Sequence, residues 1–460
     1  MAVAREVYEM ASTHEPKFTA PLGLTRETVI DISTQKGEPA WMLDKRLKAF
    51  EIFEKAPFPT WGPSLAGLDV ARITYFVRPD TAEAKTWDDV PVEIRDTFEK
   101  LGIPQAEREA LGGVGAQYDS DMVYHNLKTE LSAKGVIFEN MDVAVREHPE
   151  LVKEYFMTQC VPIHDHKFAM LHAAVWSGGT FIYVPKGVQV DIPLQAYFRM
   201  NAERGGQFEH TLIIADEGSD VHYIEGCSAP KFQAAALHAG CVEIFVKKGA
   251  RVRYSSIENW SKNTFNLNTK RAVVDENGRI EWLNGNMGSG TTMLYPMSIL
   301  RGRKATSDYL GIAFAGPDQT QDTGHKIAIV APDCSANVLS KSLSGGGGKS
   351  TYRGLVKVTR AAERATVKVQ CDALMLDGQS TSTTTPVMRI ERGDATVAHE
   401  ATVGRLGQNE LFYLQSRGLS EQEAIRTLVS GFLEPVVREL PLEYAVELVK
   451  LIELEMESVG

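Results

Sequence analysis

Two stretches late in the chain carry residues able to hold a metal between them. "TVKVQCDALM" contains Cys371, and "ATVAHEATVG" contains His399 and Glu400. Thiolate and imidazole are both good ligands of transition metals. Each stretch alternates like a strand, so Val367, Val369, Cys371 and Ala373 share one face. Val397, His399, Ala401 and Val403 share a face in the second stretch, and Glu400 points the opposite way if the strand is regular. Laying Val367 beside Val397 sets Cys371 opposite Ala401 and makes His399 its diagonal neighbour. Diagonal neighbours on a sheet lie roughly 7–8 Å apart, within reach of two side chains binding one metal or cluster.

The same arithmetic applies earlier. Cys227 lies six residues past Val221 and Glu258 six past Val252, which puts them at one level on adjacent strands, with Trp260 two residues on. One inward face would then carry Cys227, Glu258, Trp260, Cys371 and His399. Polar groups inside a core are costly unless they are paired or line a passage. The bland alternative is that each is a structural residue with a local partner. "HDHK" at 164–167 reads as a helix start, because no third ligand stands near it.

"SLSGGGGKST", Ser342 to Thr351, has the composition of a phosphate-binding loop. The motif needs a glycine at the position of Leu343, and a helix after the lysine. Here "TYRGLVKVTR" follows and alternates like a strand, so no helix N-terminus is available for a phosphate. The run reads as a flexible loop between strands, and no ATP site is expected on this chain.

The elements that must position these residues fall into three regions. Residues 1–177 are mainly helical in pattern, and 406–460 are helical again, with "SEQE" at 420–423 forming a capping box. Between them, 178–405 repeats a turn followed by an alternating strand. The repeat ends at Val190, Val221, Val252, Ile280, Tyr309, Val338, Val367 and Val397, a period of about 30 residues. Strands returning at such a pitch stack and bury a shared core. The expected fold is mainly β: a right-handed parallel β-helix-like solenoid flanked by N-terminal and C-terminal helical regions, the last forming a cap on its end.

Composition narrows the partners. The 460 residues carry a net charge of −11, which argues against nucleic acid as a partner. No apolar run is long enough to span a membrane, and the first residues lack a secretory pattern, so a cytoplasmic protein is expected. The five cysteines, Cys160, Cys227, Cys241, Cys334 and Cys371, are odd in number and lack a C-x-x-C pair. That disfavours a disulfide framework and a self-contained zinc site.

These motifs carry a resemblance over most of the chain. "SGGTFIYVPKGV", "YFRMNAE", "HYIEGCSAP", "YRGLVKV", "QCDALML", "HEATVGRL" and "ELFYLQSRG" resemble the SufB branch of the SufB/SufD family, the scaffold of the SUF iron–sulfur assembly system. The resemblance implies a scaffold, not an enzyme, that builds a nascent 2Fe-2S or 4Fe-4S cluster for recipient apo-proteins. It implies complexes with the ABC-type ATPase SufC, docked on the C-terminal helices, and with SufD or a second SufB. Sulfur would come from a cysteine desulfurase with its carrier, of the SufS/SufE or SufU type, and a reduced flavin is compatible with the scheme. By the same resemblance Cys227 accepts persulfide sulfur, and Cys371 is where the cluster forms, with His399 and Glu400 as companions. Arg199, Asn201, Trp260 and Lys270 match residues along an internal sulfur path. Glu258 stands where enterobacterial members are expected to have glutamine, which adds charge to that path. No cysteine precedes Cys160, so no accessory N-terminal cluster is expected.

Two other classes compete. A polysaccharide-cleaving solenoid would need paired carboxylates on a surface groove, and no such pair occurs on the repeats. A SufD-like structural partner would have no cluster of its own, against which the "QCD" cysteine argues.

Overall fold

Strand alternation in the repeats builds two facing sheets wound by a single chain, in a computed structural model that describes residues 14–81, 83–84, 86–100, 111–231, 234–438 and 442–457. The first sheet stacks eight parallel strands in chain order: Gln189–Arg199, Asp220–Ser228, Arg251–Asn259, Arg279–Asn286, Thr306–Ala315, Ser335–Ser344, Thr366–Met375 and Thr396–Arg405. Between them the chain returns through the second sheet as two short strands meeting at a bend, as in Ala236–His238 and Cys241–Val246. In the last coils the bend straightens into the single strands Lys349–Val358 and Thr381–Ile390. The result is a parallel β-solenoid flanked by helices, as the repeat predicts.

The register differs from the repeat at two places. Val190, Val221, Val252 and Ile280 align, but Ile280 pairs with Ser307 and not with Tyr309. Tyr309 pairs with Val338, and Val367 then pairs with Ala336. The two apolar markers Tyr309 and Val338 thus sit two residues beyond the true level. A shift of two preserves the face, so the inward pattern survives the error.

Three apolar layers result. The lumen holds Val221, Tyr223, Val252, Tyr254, Ile280, Trp282, Val338, Val367 and Cys371. The outer face of the second sheet carries Leu212, Ile214, Cys241 and Phe245, covered by the N-terminal helices Arg26–Lys36, Ala40–Lys55 and Lys167–Val175. The outer face of the first sheet carries Ile224, Ile257, Leu283, Ile312, Phe314 and Leu343. Against it pack Val429, Leu433 and Val436 of the helix Glu421–Val437, and Leu448, Leu451 and Ile452 of the helix Leu442–Glu457.

The C-terminal helices therefore lie along a sheet face and do not cap the end of the solenoid. The strands are apolar on both faces here, as parallel strands covered on both sides are, and the outward set draws the helices to the side. The final coil is left open, with Val387, Met388, Ile390 and Val403 exposed. The capping box at Ser420 and Glu423 is formed. The region expected to be helical also contributes strands. Gly113–Tyr118 and Asp121–Leu127 form a hairpin that extends the first sheet, and Ile137–Asn140 extends the second.

The glycine run is a tight turn between Ser335–Ser344 and Lys349–Val358 in place of a flexible loop. Gly346 and Gly347 take positive φ angles of 60° and 83°, which glycine adopts without strain. Their amides donate to Asp377 Oδ2 at 2.5 Å and Ser380 Oγ at 3.1 Å. Among the described residues, no helix is long and apolar enough to cross a membrane.

Candidate functional site

The open end of the solenoid brings one thiol and one imidazole together. Cys371 is buried on the seventh strand of the first sheet, and His399 is half-buried on the eighth. Cys371 pairs with Ala401 and Val369 with His399. The diagonal places Cys371 Sγ 3.6 Å from His399 Nε2. Tyr352, buried on the opposite wall, stacks on the His399 ring with centroids 6.4 Å apart. Burial pushes the Cys371 thiol up to about 12, although a hydrogen bond with the Tyr352 hydroxyl acts the other way. It is a thiol at rest, and His399 is the base within reach. Glu400 pairs with Gln370 in an unbroken register and is exposed on the outer face. No bulge turns it inward.

Nearer the start of the lumen is a chamber-like cluster of buried, mutually bonded polar side chains. Cys227 and Glu258 pair across adjacent strands, and both are buried. Glu258 bonds Lys270 Nζ from the opposite wall and accepts from Asn266 Nδ2 at 2.6 Å. Lys270 also donates to Ser256 Oγ at 2.8 Å. Burial opposes both charges, yet their mutual attraction holds Glu258 below its ordinary value and Lys270 above its own. His238 packs at a tilt against Trp260, with ring centroids 4.3 Å apart, and bonds Glu209 at 2.6 Å and Asn266 at 2.8 Å. Burial disfavours its charge, but Glu209 and Glu258 outweigh that and raise it.

Glu225, two residues before Cys227 on the same face, is 4.0 Å from the sulfur. It accepts from Tyr254 at 2.8 Å and Thr211 at 3.1 Å. Burial first, then Glu225, Glu209 and Glu258, keep the Cys227 thiol well above its ordinary value. Strand alternation alone could have found Glu225. His238 and Tyr352 lie in the second sheet and Glu209 in the bend between two of its strands; their approach depends on how the two sheets face, which no local pattern encodes.

Four strands separate those of Cys227 and Cys371, so the two levels are five strand spacings apart, about 24 Å. The lumen between them is lined by further polar side chains. Trp282 Nε1 donates to Ser298 Oγ at 3.0 Å, and Ser298 meets Ser307 at 2.7 Å and His325 at 3.3 Å. Tyr309 stacks on His325 at 4.5 Å.

Arg199 and Asn201 are not brought to the chamber's inner face. Arg199 pairs with Ser228, one residue past Cys227, and alternation sends it to the other side. Its Nη1 donates to Ser228 Oγ at 3.0 Å, and the Asn201 amide donates to Asp119 Oδ1 at 2.6 Å. Both belong to the junction with the N-terminal hairpin. His166 caps the helix Lys167–Val175, accepting from the Ala169 amide at 3.3 Å.

A buried thiol among paired polar groups and a thiol–imidazole pair at the open end thus share the inner wall of one parallel β-solenoid. Comparison with known proteins supplies the family. A model described as SUF system FeS cluster assembly, SufBD core domain, matches residues 198–432, and one for the SufBD protein N-terminal region matches 31–196. An iron–sulfur cluster assembly SufBD family protein of Staphylococcus epidermidis is 52% identical over 444 residues, covering 96% of this chain and 95% of that protein. Proteins of the same description from Staphylococcus haemolyticus and Staphylococcus aureus match at the same identity and coverage. The chain belongs to the SufBD family of the SUF iron–sulfur cluster assembly system.

Proposed function

We propose that this chain is the SufB-type scaffold of its system, taking up sulfur at Cys227 and building a nascent cluster at Cys371. The observation that carries this reading is the 3.6 Å contact of Cys371 with His399 at the uncovered end of the solenoid. Iron binding displaces a thiol proton, and His399 Nε2 is placed to receive the one from Cys371. One thiolate and one imidazole hold a cluster less firmly than four thiolates, which suits cargo that must leave for an apo-protein. Glu400 faces outward and is assigned no part in holding iron within one chain.

Uptake at Cys227 is a persulfide exchange. The Cys227 sulfur attacks the outer sulfur of a donor persulfide, the donor's S–S bond breaks, and the donor leaves as a thiolate. Glu225 is the carboxylate placed to take the Cys227 proton. The sulfur then moves along the lumen past Glu258, Trp260 and Lys270, while Arg199 and Asn201 hold the chamber's outer wall. Reduction of sulfane sulfur to sulfide takes two electrons, which a reduced flavin can supply.

The remaining partners follow from the same reading. A cysteine desulfurase with its carrier supplies the persulfide. SufC docks on the C-terminal helices, where Phe412 and Tyr413 are 73% and 56% exposed. SufD or a second copy of this chain covers the open coil, and the complex works in the cytoplasm.

Anaerobic reconstitution with iron and sulfide, followed by absorption and Mössbauer spectra, tests the assignment. Cys371→Ser should lose the cluster, with and without the ATPase. A full cluster on Cys371→Ser would remove Cys371 from the site, and a wild-type chain that takes up no cluster would be a SufD-like structural partner.

A further inference from the structure

A second cluster of metal-ligating side chains lies outside the lumen, where the proposed sulfur chemistry does not reach. His172 is on the helix Lys167–Val175, and His210 and Cys241 are on adjacent strands of the second sheet, paired in register. All three are buried at 0–1% exposure, and a ring nitrogen from each histidine and the cysteine sulfur lie within 4.8 Å of one another.

Both imidazoles are oriented from behind. His172 Nδ1 is 2.9 Å from the Ala239 carbonyl, so it must carry the hydrogen, and Nε2 is left as a lone pair. That Nε2 faces His210 Nδ1 at 3.0 Å. The other nitrogen of His210, Nε2, faces Glu243 Oε2 at 3.3 Å. Glu243 already accepts the amides of Met157 and Val161 at 2.6 and 2.8 Å.

With both imidazoles neutral and Glu243 ionised, the hydrogen count fails without a metal. If His210 uses its one hydrogen on Nδ1 to meet His172, its Nε2 is bare and opposes a carboxylate, and no hydrogen bond forms there. A cation between the two facing nitrogens removes the conflict. The His210 hydrogen moves to Nε2, which faces Glu243 Oε2 at 3.3 Å. Each ligating histidine then has an acceptor behind it, a carbonyl for one and a carboxylate for the other, as metal-bound histidines do. The Cys241 thiolate and the Glu243 carboxylate also offset the charge of a divalent cation, which lowers the cost of burying it.

We propose that His172, His210 and Cys241 bind a divalent metal ion of the zinc class, enclosed between the N-terminal helices and the second sheet, with Glu243 orienting His210. Two nitrogens and one thiolate are a donor set zinc accepts. The site clamps helix to solenoid and takes its metal as the protein folds, since the donors are enclosed afterwards. It is independent of the scaffold assignment.

The test is growth in cobalt(II)- or zinc-supplemented medium and anaerobic purification of a Cys227→Ser/Cys371→Ser protein, which lacks the thiols assigned above. It should carry metal by elemental analysis, and the cobalt form should show a thiolate-to-cobalt charge-transfer band. Adding Cys241→Ala should abolish the band, and His172→Gln should lower metal content at least about tenfold. Glu243→Gln, which preserves shape, should also lower metal content, by about 10-fold or more. Circular dichroism checks that each variant is folded. Protein that purifies without metal, or a band that persists in Cys241→Ala, overturns the proposal and leaves an extra proton on Glu243 or His210 as the cluster's solution.

Discussion

Cys371 and His399 come within 3.6 Å because His399 sits one diagonal step from the residue directly across from Cys371. The direct partner, Ala401, offers only a methyl group, and the imidazole lies beside both the thiol and the Tyr352 ring. The next residue, Glu400, is turned away by strand alternation. One thiol, one base and an open edge thus meet on two strands.

That relationship orders the effects of substitution. In the isolated chain His399→Ala should lower cluster occupancy clearly, and Glu400→Ala should stay close to wild type. Absorption and Mössbauer spectra of the reconstituted proteins give the ranking. If Glu400→Ala is the more damaging, the eighth strand is not regular when iron is bound.

Cys371 should behave as a hard-to-ionise thiol. Its value of about 12 lies above the ordinary 9.0. Its alkylation rate should therefore climb about tenfold per pH unit between roughly pH 8 and 10, without the levelling an ordinary thiol shows. Site-resolved mass spectrometry follows the rate, and a plateau near pH 9 would contradict the burial argument.

Lys270 and Glu258 are a buried pair, at 1% exposure each. Lys270→Met should destabilise the fold by about 3–5 kcal/mol, because it strands a carboxylate, and adding Glu258→Gln should recover most of the loss. Glu258 is held below its ordinary 4.5, so the pair's contribution is complete above that pH and fades as pH falls through the lower folded value. The penalty of Lys270→Met should accordingly shrink in acid. Denaturant titrations at pH 7 and below pH 4 measure both effects.

The open coil should be a docking edge. Met388 is 51% exposed and Val403 47%, and an uncovered strand edge pairs readily with another chain. Met388→Lys with Val403→Lys should weaken association with SufD or with a second copy by at least about tenfold, while the circular dichroism stays unchanged. Sedimentation velocity on mixtures reads the change, and unaltered association would move the interface elsewhere.

Much of this is legible in the sequence alone. A turn and an alternating strand recurring every 30 or so residues left few options besides a solenoid, and period-two alternation placed Cys227, Glu258, Cys371 and His399 on its inner face and Glu400 on the outer one. A misjudged level at Tyr309 and Val338 did no harm, because an error of two residues keeps the side. Local patterns could not say which residues face each other across the lumen, so the union of Glu258 with Lys270 and the approach of Tyr352 to Cys371 waited for the tertiary structure. Nor could they show that the C-terminal helices would take a sheet face and leave the last coil bare. The cysteine spacing argued against a zinc site, yet His172, His210 and Cys241 converge from three separate elements. Sequence spacing reports neighbours along one strand or helix, whereas a site assembled across layers depends on how those layers pack.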